Sequence, residues 1–105
     1  MSAGILEEIR AAASKRILFT PHAIRQMSLP ERMITPAEVR DVVATGEPVE
    51  EYLEDPRGPS CLLLGFGDGG RPLHVVCAPK MEYLAVITAY IPDPQRWSAD
   101  FKRRL

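Results

Sequence analysis

The sequence contains few of the side chains that bind metals or form disulfides. Its 105 residues include two histidines, His22 and His74, and two cysteines that lack CxxC spacing. Cys61 and Cys77 each lie in an apolar run and no secretory signal precedes them. We therefore expect no metal site and no cofactor. We also expect both cysteines to be reduced, buried thiols on neighbouring strands.

Long apolar runs and an excess of one charge are also missing. No run approaches the roughly 20 apolar residues that span a bilayer. Thirteen Lys and Arg residues against fourteen Asp and Glu residues give a formal net charge of −1, so strong nonspecific attraction to nucleic acid is not expected. A local basic cluster is present at Lys102-Arg103-Arg104. These features predict a cytoplasmic protein with no membrane partner.

Helical patterns occupy the first half of what the length predicts to be one domain, residues 1–105. Apolar residues recur at helical spacing from Met1 to Lys15, with Ser2 as a candidate cap. Thr20-Pro21 begins a second helix, which should end before Pro30. The segment between these two helices is either a small strand or an irregular entry to the second helix.

A third helix is the most clearly marked element of the sequence. Thr35-Pro36-Ala37-Glu38 forms a capping box with proline at the first helical position. Valines 39, 42 and 43 then make an apolar stripe. Gly46 should end the helix in the left-handed conformation that glycine adopts readily.

After Gly46 the apolar period changes to that of strands. Strand patterns cover residues 49–53, 61–67, 73–78 and 83–91. Asp68-Gly69-Gly70 is typical of a hairpin turn, and Trp97 and Phe101 lie in a segment that could form a short helix. The order predicts an α+β domain, with N-terminal helices packed on one face of an antiparallel meander sheet of three to four strands. The predicted core residues are Ile24, Met27, Val39, Val42, Val43, Leu63, Val75 and Ile87.

Two pairs of ionisable or polar side chains are candidates for chemistry. His22 and Arg25 are three positions apart on a predicted helix and share a face. Histidine transfers protons near neutral pH, and arginine makes forked hydrogen bonds to phosphate or carboxylate. His74 lies inside a predicted strand and would come close to Thr88 or Tyr90 if the last two strands pair. Local hydrogen bonding by His22 and a structural role for His74 are the alternatives.

An ordered series of short patterns resembles the bacterial domain-of-unknown-function 4258 family over about residues 20–97. Met33 departs from the family pattern, in which a glycine is expected in the turn. The series is His22-Ala23-Ile24-Arg25-Gln26-Met27, Arg32-Met33-Ile34-Thr35, Leu62-Leu63-Leu64-Gly65, Leu73-His74-Val75-Val76 and Ile87-Thr88-Ala89-Tyr90-Ile91-Pro92-Asp93.

The resemblance implies a layout similar to that of RelE and BrnT type toxins, which are small ribonucleases neutralised by an antitoxin. Such toxins use a few basic, histidine or tyrosine side chains on the sheet and adjoining helices. RNA and an antitoxin would then be the partners, and a homodimer is compatible with the sequence. The expected catalytic residues are His22, Arg25, His74 and Tyr90. The expected binding residues are Arg32, Thr88, Lys102 and Arg103.

The sequence is compatible with two functions from different classes. The first is a metal-independent ribonuclease toxin of a toxin–antitoxin pair. The second is a noncatalytic binding module that uses His22, Arg25 and the sheet face for a protein or a small acidic ligand. The net charge of −1 counts against the first, because RNA-cleaving toxins are usually basic.

Overall fold

The computed structural model describes residues 4–105, so the proposed cap Ser2 lies outside the described part. This part of the chain contains three α-helices and five strands, and a 3₁₀ turn at Asp68–Gly70 joins two of the strands. The elements are α1 (Gly4–Lys15), β1 (Ile17–Phe19), α2 (Pro21–Met27), α3 (Pro36–Thr45), β2 (Glu47–Tyr52), β3 (Ser60–Phe66), β4 (Pro72–Pro79) and β5 (Leu84–Tyr90).

The strands form one five-stranded mixed sheet in the order β1-β5-β4-β3-β2. Strands β2 to β5 are an antiparallel meander, which confirms the α+β class. The expectation of three to four strands, all antiparallel, was wrong, because β1 adds an edge strand that runs parallel to β5. Three residues between two helices are too few to show the strand period in the sequence.

The second helix begins as its sequence predicts and is tied to the sheet at its first turn. The Thr20 side chain accepts a hydrogen bond from the Ala23 amide at 3.0 Å, and its hydroxyl donates to the Ile87 carbonyl at 3.0 Å. The Thr20 amide also donates to the Val86 carbonyl. One capping residue therefore fixes α2 against β5.

The third helix has the predicted capping box but a different C-terminal end. Thr35 and Glu38 bond reciprocally at its start. Gly46 has φ −71° and ψ 169°, which is extended backbone, so the predicted left-handed ending was wrong. Glycine is needed there for space, because a Cβ atom would lie 2.5 Å from the Val42 carbonyl oxygen and 2.8 Å from that of Leu64.

The main core lies between the three helices and one face of the sheet. Cys61 and Cys77 are directly paired on β3 and β4, and both are free and fully buried in this core. Ile24 was wrongly predicted to be a core residue: its side chain is 53% exposed, because Ala23 and Met27 occupy the buried side of α2. Ile87 is half-buried. The other predicted core residues are buried, namely Met27, Val39, Val42, Val43, Leu63 and Val75.

The second face of the sheet is covered by residues 93–105, called the tail below. The predicted helix around Trp97 is absent from the tail, which instead folds back on itself. Trp97 pairs with Arg104 as an isolated antiparallel bridge, and Phe101 lies in the left-handed region with φ 62°. This hairpin-like shape lays the buried Trp97 indole on the sheet, with its ring centroid 4.5 Å from that of His74.

Candidate site on the tail-covered face of the sheet

Polar side chains gather on the sheet face that the tail covers. Strand pairing places His74 between Leu64 and Tyr90 in one row across β3, β4 and β5. Glu50 and Tyr52 are two positions apart on β2 and therefore point to one face of the sheet. Their side chains are joined by a short hydrogen bond from the Tyr52 hydroxyl to the Glu50 carboxylate.

His74 is fully buried and both of its ring nitrogens are occupied. Nε2 lies 2.9 Å from the Phe101 carbonyl oxygen, which can only accept, so Nε2 carries the proton. Nδ1 then accepts from the Tyr90 hydroxyl at 3.3 Å. Burial lowers the pKa of His74, which agrees with a neutral ring. In this arrangement His74 fixes Tyr90 and the tail, and it has no nitrogen available to a substrate.

Arg104 of the tail forms a two-pronged ion pair with Glu50. Its Nε and Nη2 atoms lie 2.8 and 3.0 Å from the two carboxylate oxygens, and its guanidinium stacks 4.7 Å from the centroid of Trp97. The Arg104 hydrogen bond holds the pKa of Glu50 below its usual value. Burial, with the hydrogen bond to Glu50, raises the pKa of Tyr52 to about 12. Glu50 is therefore an ionised carboxylate at neutral pH.

Tyr90 completes this cluster, which we call the sheet-face cluster: Glu50, Tyr52, His74, Tyr90 and Arg104. Burial raises the pKa of Tyr90, so the phenol keeps its proton at neutral pH. The charges of Arg104 and Arg32 favour the ionised phenol and the charge of Glu50 opposes it, but burial has the largest effect. The cluster thus combines a carboxylate, a proton-bearing phenol and fixed positive charge.

The predicted binding residues have different surroundings. Arg32 donates to the Gln26 side chain at 2.7 Å, and Lys102 forms an ion pair with Glu47 at 2.9 Å. Thr88 pairs with Val76, one row away from Tyr90 on the same face of the sheet. Arg103 is exposed.

His22 and Arg25 are not part of the sheet-face cluster. Both side chains are exposed on α2, and neither forms a hydrogen bond or an ion pair with another residue in the described range 4–105. The structure thus brings His74 and Tyr90 together, as the strand-pairing hypothesis expected, and leaves His22 and Arg25 on a separate element.

Sequence reasoning did not identify Glu50, Tyr52 and Arg104. A signal for the first two was present, because alternate positions on a strand share a face. Nothing in the sequence indicates that a tail residue meets β2, since Arg104 and Glu50 are 54 positions apart. The long separation hides the pairing from any local pattern.

A second carboxylate–arginine pair lies at the start of α3. Glu38 is 2% exposed and accepts from Arg71 Nη2 at 2.8 Å and from the Asp68 amide at 2.8 Å. Arg71 also donates to the carbonyl oxygens of Arg32 and Met33. These bonds fasten the turn before α3 to the β3–β4 turn, so the pair has a structural function.

Residues 4–105 lack the features of a metal site and of a membrane-spanning helix. No group of three or more His, Cys, Asp and Glu side chains comes together there in a way that could hold a metal ion. In the same range, no helix has both the length and the apolar character required to cross a bilayer.

Comparison with known proteins identifies the family. A family model described as "Domain of unknown function (DUF4258)" matches residues 19–91, which is more than half of the chain. The chain belongs to this family. The DUF4258 region runs from the last residue of β1 to just beyond β5, so it contributes Glu50, His74 and Tyr90 while the tail lies outside it. No curated protein and no solved structure matches the chain.

Proposed function

We propose that this DUF4258 protein is a metal-independent ribonuclease whose active site is the sheet-face cluster. The observation that carries the proposal is that the Glu50–Arg104 pair and the Tyr90 hydroxyl, which is bonded to His74, lie on one face of the sheet. Phosphodiester cleavage without a metal needs a base, a proton donor and positive charge at the phosphate, and these side chains supply the three groups. The family resemblance noted in the sequence also implies a layout like that of RelE and BrnT type toxins, which supports the proposal only as an analogy of fold.

In this mechanism Glu50 acts as the base and Arg104 binds the phosphate. The substrate phosphate competes with Glu50 for Arg104 and so frees the carboxylate. Glu50 then accepts the proton of the 2′-hydroxyl, whose oxygen bonds to phosphorus as the bond to the 5′-oxygen breaks. Tyr90 gives its proton to the 5′-oxygen, leaving a 2′,3′-cyclic phosphate and a 5′-hydroxyl. His74 holds the Tyr90 hydroxyl in place and is a positioning residue.

Basic side chains of the tail would bind the RNA backbone in this proposal. Lys102 and Arg103 directly precede Arg104 in the sequence, and the positive charge of Arg32 acts on Tyr90. A ribonuclease inside a growing cell has to be held inactive, so we include an antitoxin protein as the partner.

A noncatalytic binding module is the second candidate, and one observation favours it. Every polar member of the sheet-face cluster already has a partner within the chain, and His74 is fully buried. A face that is closed by its own tail could be purely structural, in which case ligand binding would use the exposed His22 and Arg25 on α2.

Overexpression in bacterial cells, with growth and total RNA integrity as readouts, tests the proposal. Wild type should inhibit growth and fragment RNA. Glu50→Gln should reduce the cleavage rate by about 10²–10⁴-fold, the usual loss for a general base. Arg57→Ala is the matched control, because the Arg57 side chain is 90% exposed in the loop between β2 and β3.

Two other outcomes would redirect the assignment. If His22→Ala abolishes cleavage while Glu50→Gln retains it, the active site lies on α2, as the spacing of His22 and Arg25 in the sequence suggests. If the wild-type protein is harmless and RNA stays intact both in cells and with purified protein, the binding module is the better description.

A further inference from the structure

Two shallow depressions lie on the helix side of the molecule, away from the sheet-face cluster. The first, of about 380 Å³, lies between α1, β1 and α3, and Ala13, Ile17 and Val43 contribute to its floor. The second, of about 300 Å³, lies between β1, α2 and the start of α3, and Phe19 and Met27 contribute to its floor. Both are mainly apolar.

Both depressions border β1 and α3, and we call the strip of surface that spans the two the α3 groove. Pro36, Arg40 and Val43 are spaced by four and three residues, so they lie along one face of α3. Ile17 and Phe19 are alternate residues of β1 and therefore point to one side of the sheet. From residue 36 to residue 44 the helix rises about 12 Å at 1.5 Å per residue. That length matches two to three turns of a bound helix.

One rim of the α3 groove exposes apolar surface that the described part of the chain leaves uncovered. Ile24 lines the groove and is 53% exposed, although α2 has a buried side occupied by Ala23 and Met27. Ile24 thus adds an exposed apolar side chain to the apolar floor of the groove, and apolar patches of this kind are surfaces that binding partners cover.

The charged side chains that line the α3 groove are both arginines. Arg10 and Arg40 line it, and Arg25 follows Ile24 on α2, which has no acidic residue. The Arg10 guanidinium donates hydrogen bonds to the carbonyl oxygens of Val43 and Gly46. Arg40 forms no ion pair or side-chain hydrogen bond with residues 4–105. The exposed acids Glu31 and Asp41 of this region do not line either depression.

This charge pattern decides between two occupants. A two-fold dimer through the same surface would bring together two surfaces that each carry Arg25 and Arg40, and repulsion between like charges disfavours that arrangement. An acidic segment would pair with those arginines and cover Ile24. We propose that the α3 groove binds a short amphipathic helix of another protein that presents apolar side chains flanked by carboxylates.

A display selection with the complete chain tests this proposal and does not require an identified partner. Random 16-residue peptides are selected on the wild-type protein, and the recovered peptides are synthesised. We expect sequences with apolar residues spaced by three or four positions together with Asp or Glu. In fluorescence polarisation, Arg40→Glu should weaken their binding at least tenfold and Ile24→Asp should do the same. Arg57→Glu, which changes an exposed arginine elsewhere, should leave the affinity unchanged.

Amide chemical shifts measured on the titrated wild-type protein locate the binding surface. Shifts concentrated at Ile17, Phe19, Ile24 and Arg40 would support the proposal. Recovery of no enriched peptide, of peptides without acidic residues, or of peptides that bind Arg40→Glu as tightly as wild type would overturn it. Concentration-dependent shifts of the same residues in the peptide-free protein would overturn the choice of occupant in favour of a second copy. Ribonuclease activity is measured separately, so the two proposals can fail independently.

Discussion

Two carboxylate–arginine pairs in this small domain have similar geometry and different surroundings. Glu38–Arg71 and Glu50–Arg104 are both two-pronged, and each joins residues more than 30 positions apart. The side chains of the first pair are 3% and 29% exposed for the acid and the arginine, whereas those of the second are 24% and 61% exposed. Water can therefore replace the second pair far more easily than the first.

The remaining bonds of the two pairs extend this difference. Glu38 also accepts from the Thr35 and Asp68 amides, so one carboxylate connects the start of α3 with the β3–β4 turn. The Glu38–Arg71 pair is thus an integral part of the fold. Arg104 instead fastens only the tail, through Glu50 and Trp97. The comparison indicates that burial and added backbone bonds, rather than pair geometry, separate a structural ion pair from a displaceable one.

Glu38→Gln should produce the largest loss of stability. The amide cannot pair with the Arg71 charge and cannot accept all of the donors directed at the two oxygens, and breaking a buried pair costs about 3–5 kcal/mol. Urea denaturation should show a fall of at least about 3 kcal/mol in the free energy of unfolding. Glu51→Gln, at an exposed position of β2, is the control and should change it by less than about 0.5 kcal/mol. If Glu38→Gln and Glu51→Gln lower the free energy of unfolding equally, the Glu38–Arg71 pair is not an integral part of the fold.

Acid should destabilise wild type more than Glu38→Gln. The Arg71 hydrogen bond lowers the pKa of Glu38 from 4.5 to about 2 in the folded protein. A lowered folded-state pKa gives stability that is present above pH 4.5 and is lost as the pH falls towards 2. The difference in unfolding free energy between the two proteins should therefore shrink by about 3 kcal/mol over that range. A pH-independent difference would mean that Glu38 is not specifically stabilised as the anion.

The sequence predicts the elements whose signals are local. Thr20-Pro21 and the Thr35–Glu38 capping box mark two helix starts correctly, because a cap needs only side chains and amides within one turn. β1 is ambiguous in sequence because its strand character depends on pairing with β5, which is remote in the chain. The extended Gly46 was also missed, since the atoms that require a glycine there belong partly to β3.

The candidate site was predictable only in part for the same reason. His74 and Tyr90 could be placed together, because they lie on consecutive strands joined by a short turn. Glu50, Tyr52 and Arg104 meet through a tail whose irregular path has no periodic signal in the sequence. Ile24 was misassigned to the core because a seven-residue helix is too short for its apolar positions to define one face clearly.

Glu50→Gln should loosen the tail while leaving the domain folded. Its partner Arg104 is well exposed, so the loss of unfolding free energy should stay below about 1 kcal/mol. Trp97 is the single tryptophan of the chain and is buried under the Arg104 guanidinium, so its fluorescence reports directly on the tail. We expect a red shift of its emission in the variant, with the far-UV circular dichroism unchanged.

Salt provides the control for this tail measurement. Raising the ionic strength should shift the wild-type Trp97 emission towards that of Glu50→Gln, because exposed charges are screened. The difference in unfolding free energy between wild type and Glu38→Gln should depend much less on ionic strength, because the Glu38–Arg71 pair is buried. If Trp97 emission is the same in wild type and Glu50→Gln at all salt concentrations, packing of the indole rather than the ion pair holds the tail.

Met33→Gly should have the smallest effect and the opposite sign. Met33 lies in the turn before α3, and its carbonyl oxygen accepts a hydrogen bond from Arg71. Its φ is 47°, a left-handed conformation that costs a non-glycine residue about 1–2 kcal/mol. Glycine removes this strain but adds about 0.5–1 kcal/mol of unfolded-state entropy, so the net gain should be about 0.5 kcal/mol. Met81→Gly is the matched control, because Met81 is 84% exposed and its φ is not positive, and it should lower the urea midpoint. If Met33→Gly and Met81→Gly lower the urea midpoint equally, the backbone at Met33 is not strained. The glycine expected there from the family resemblance would then offer no advantage in stability.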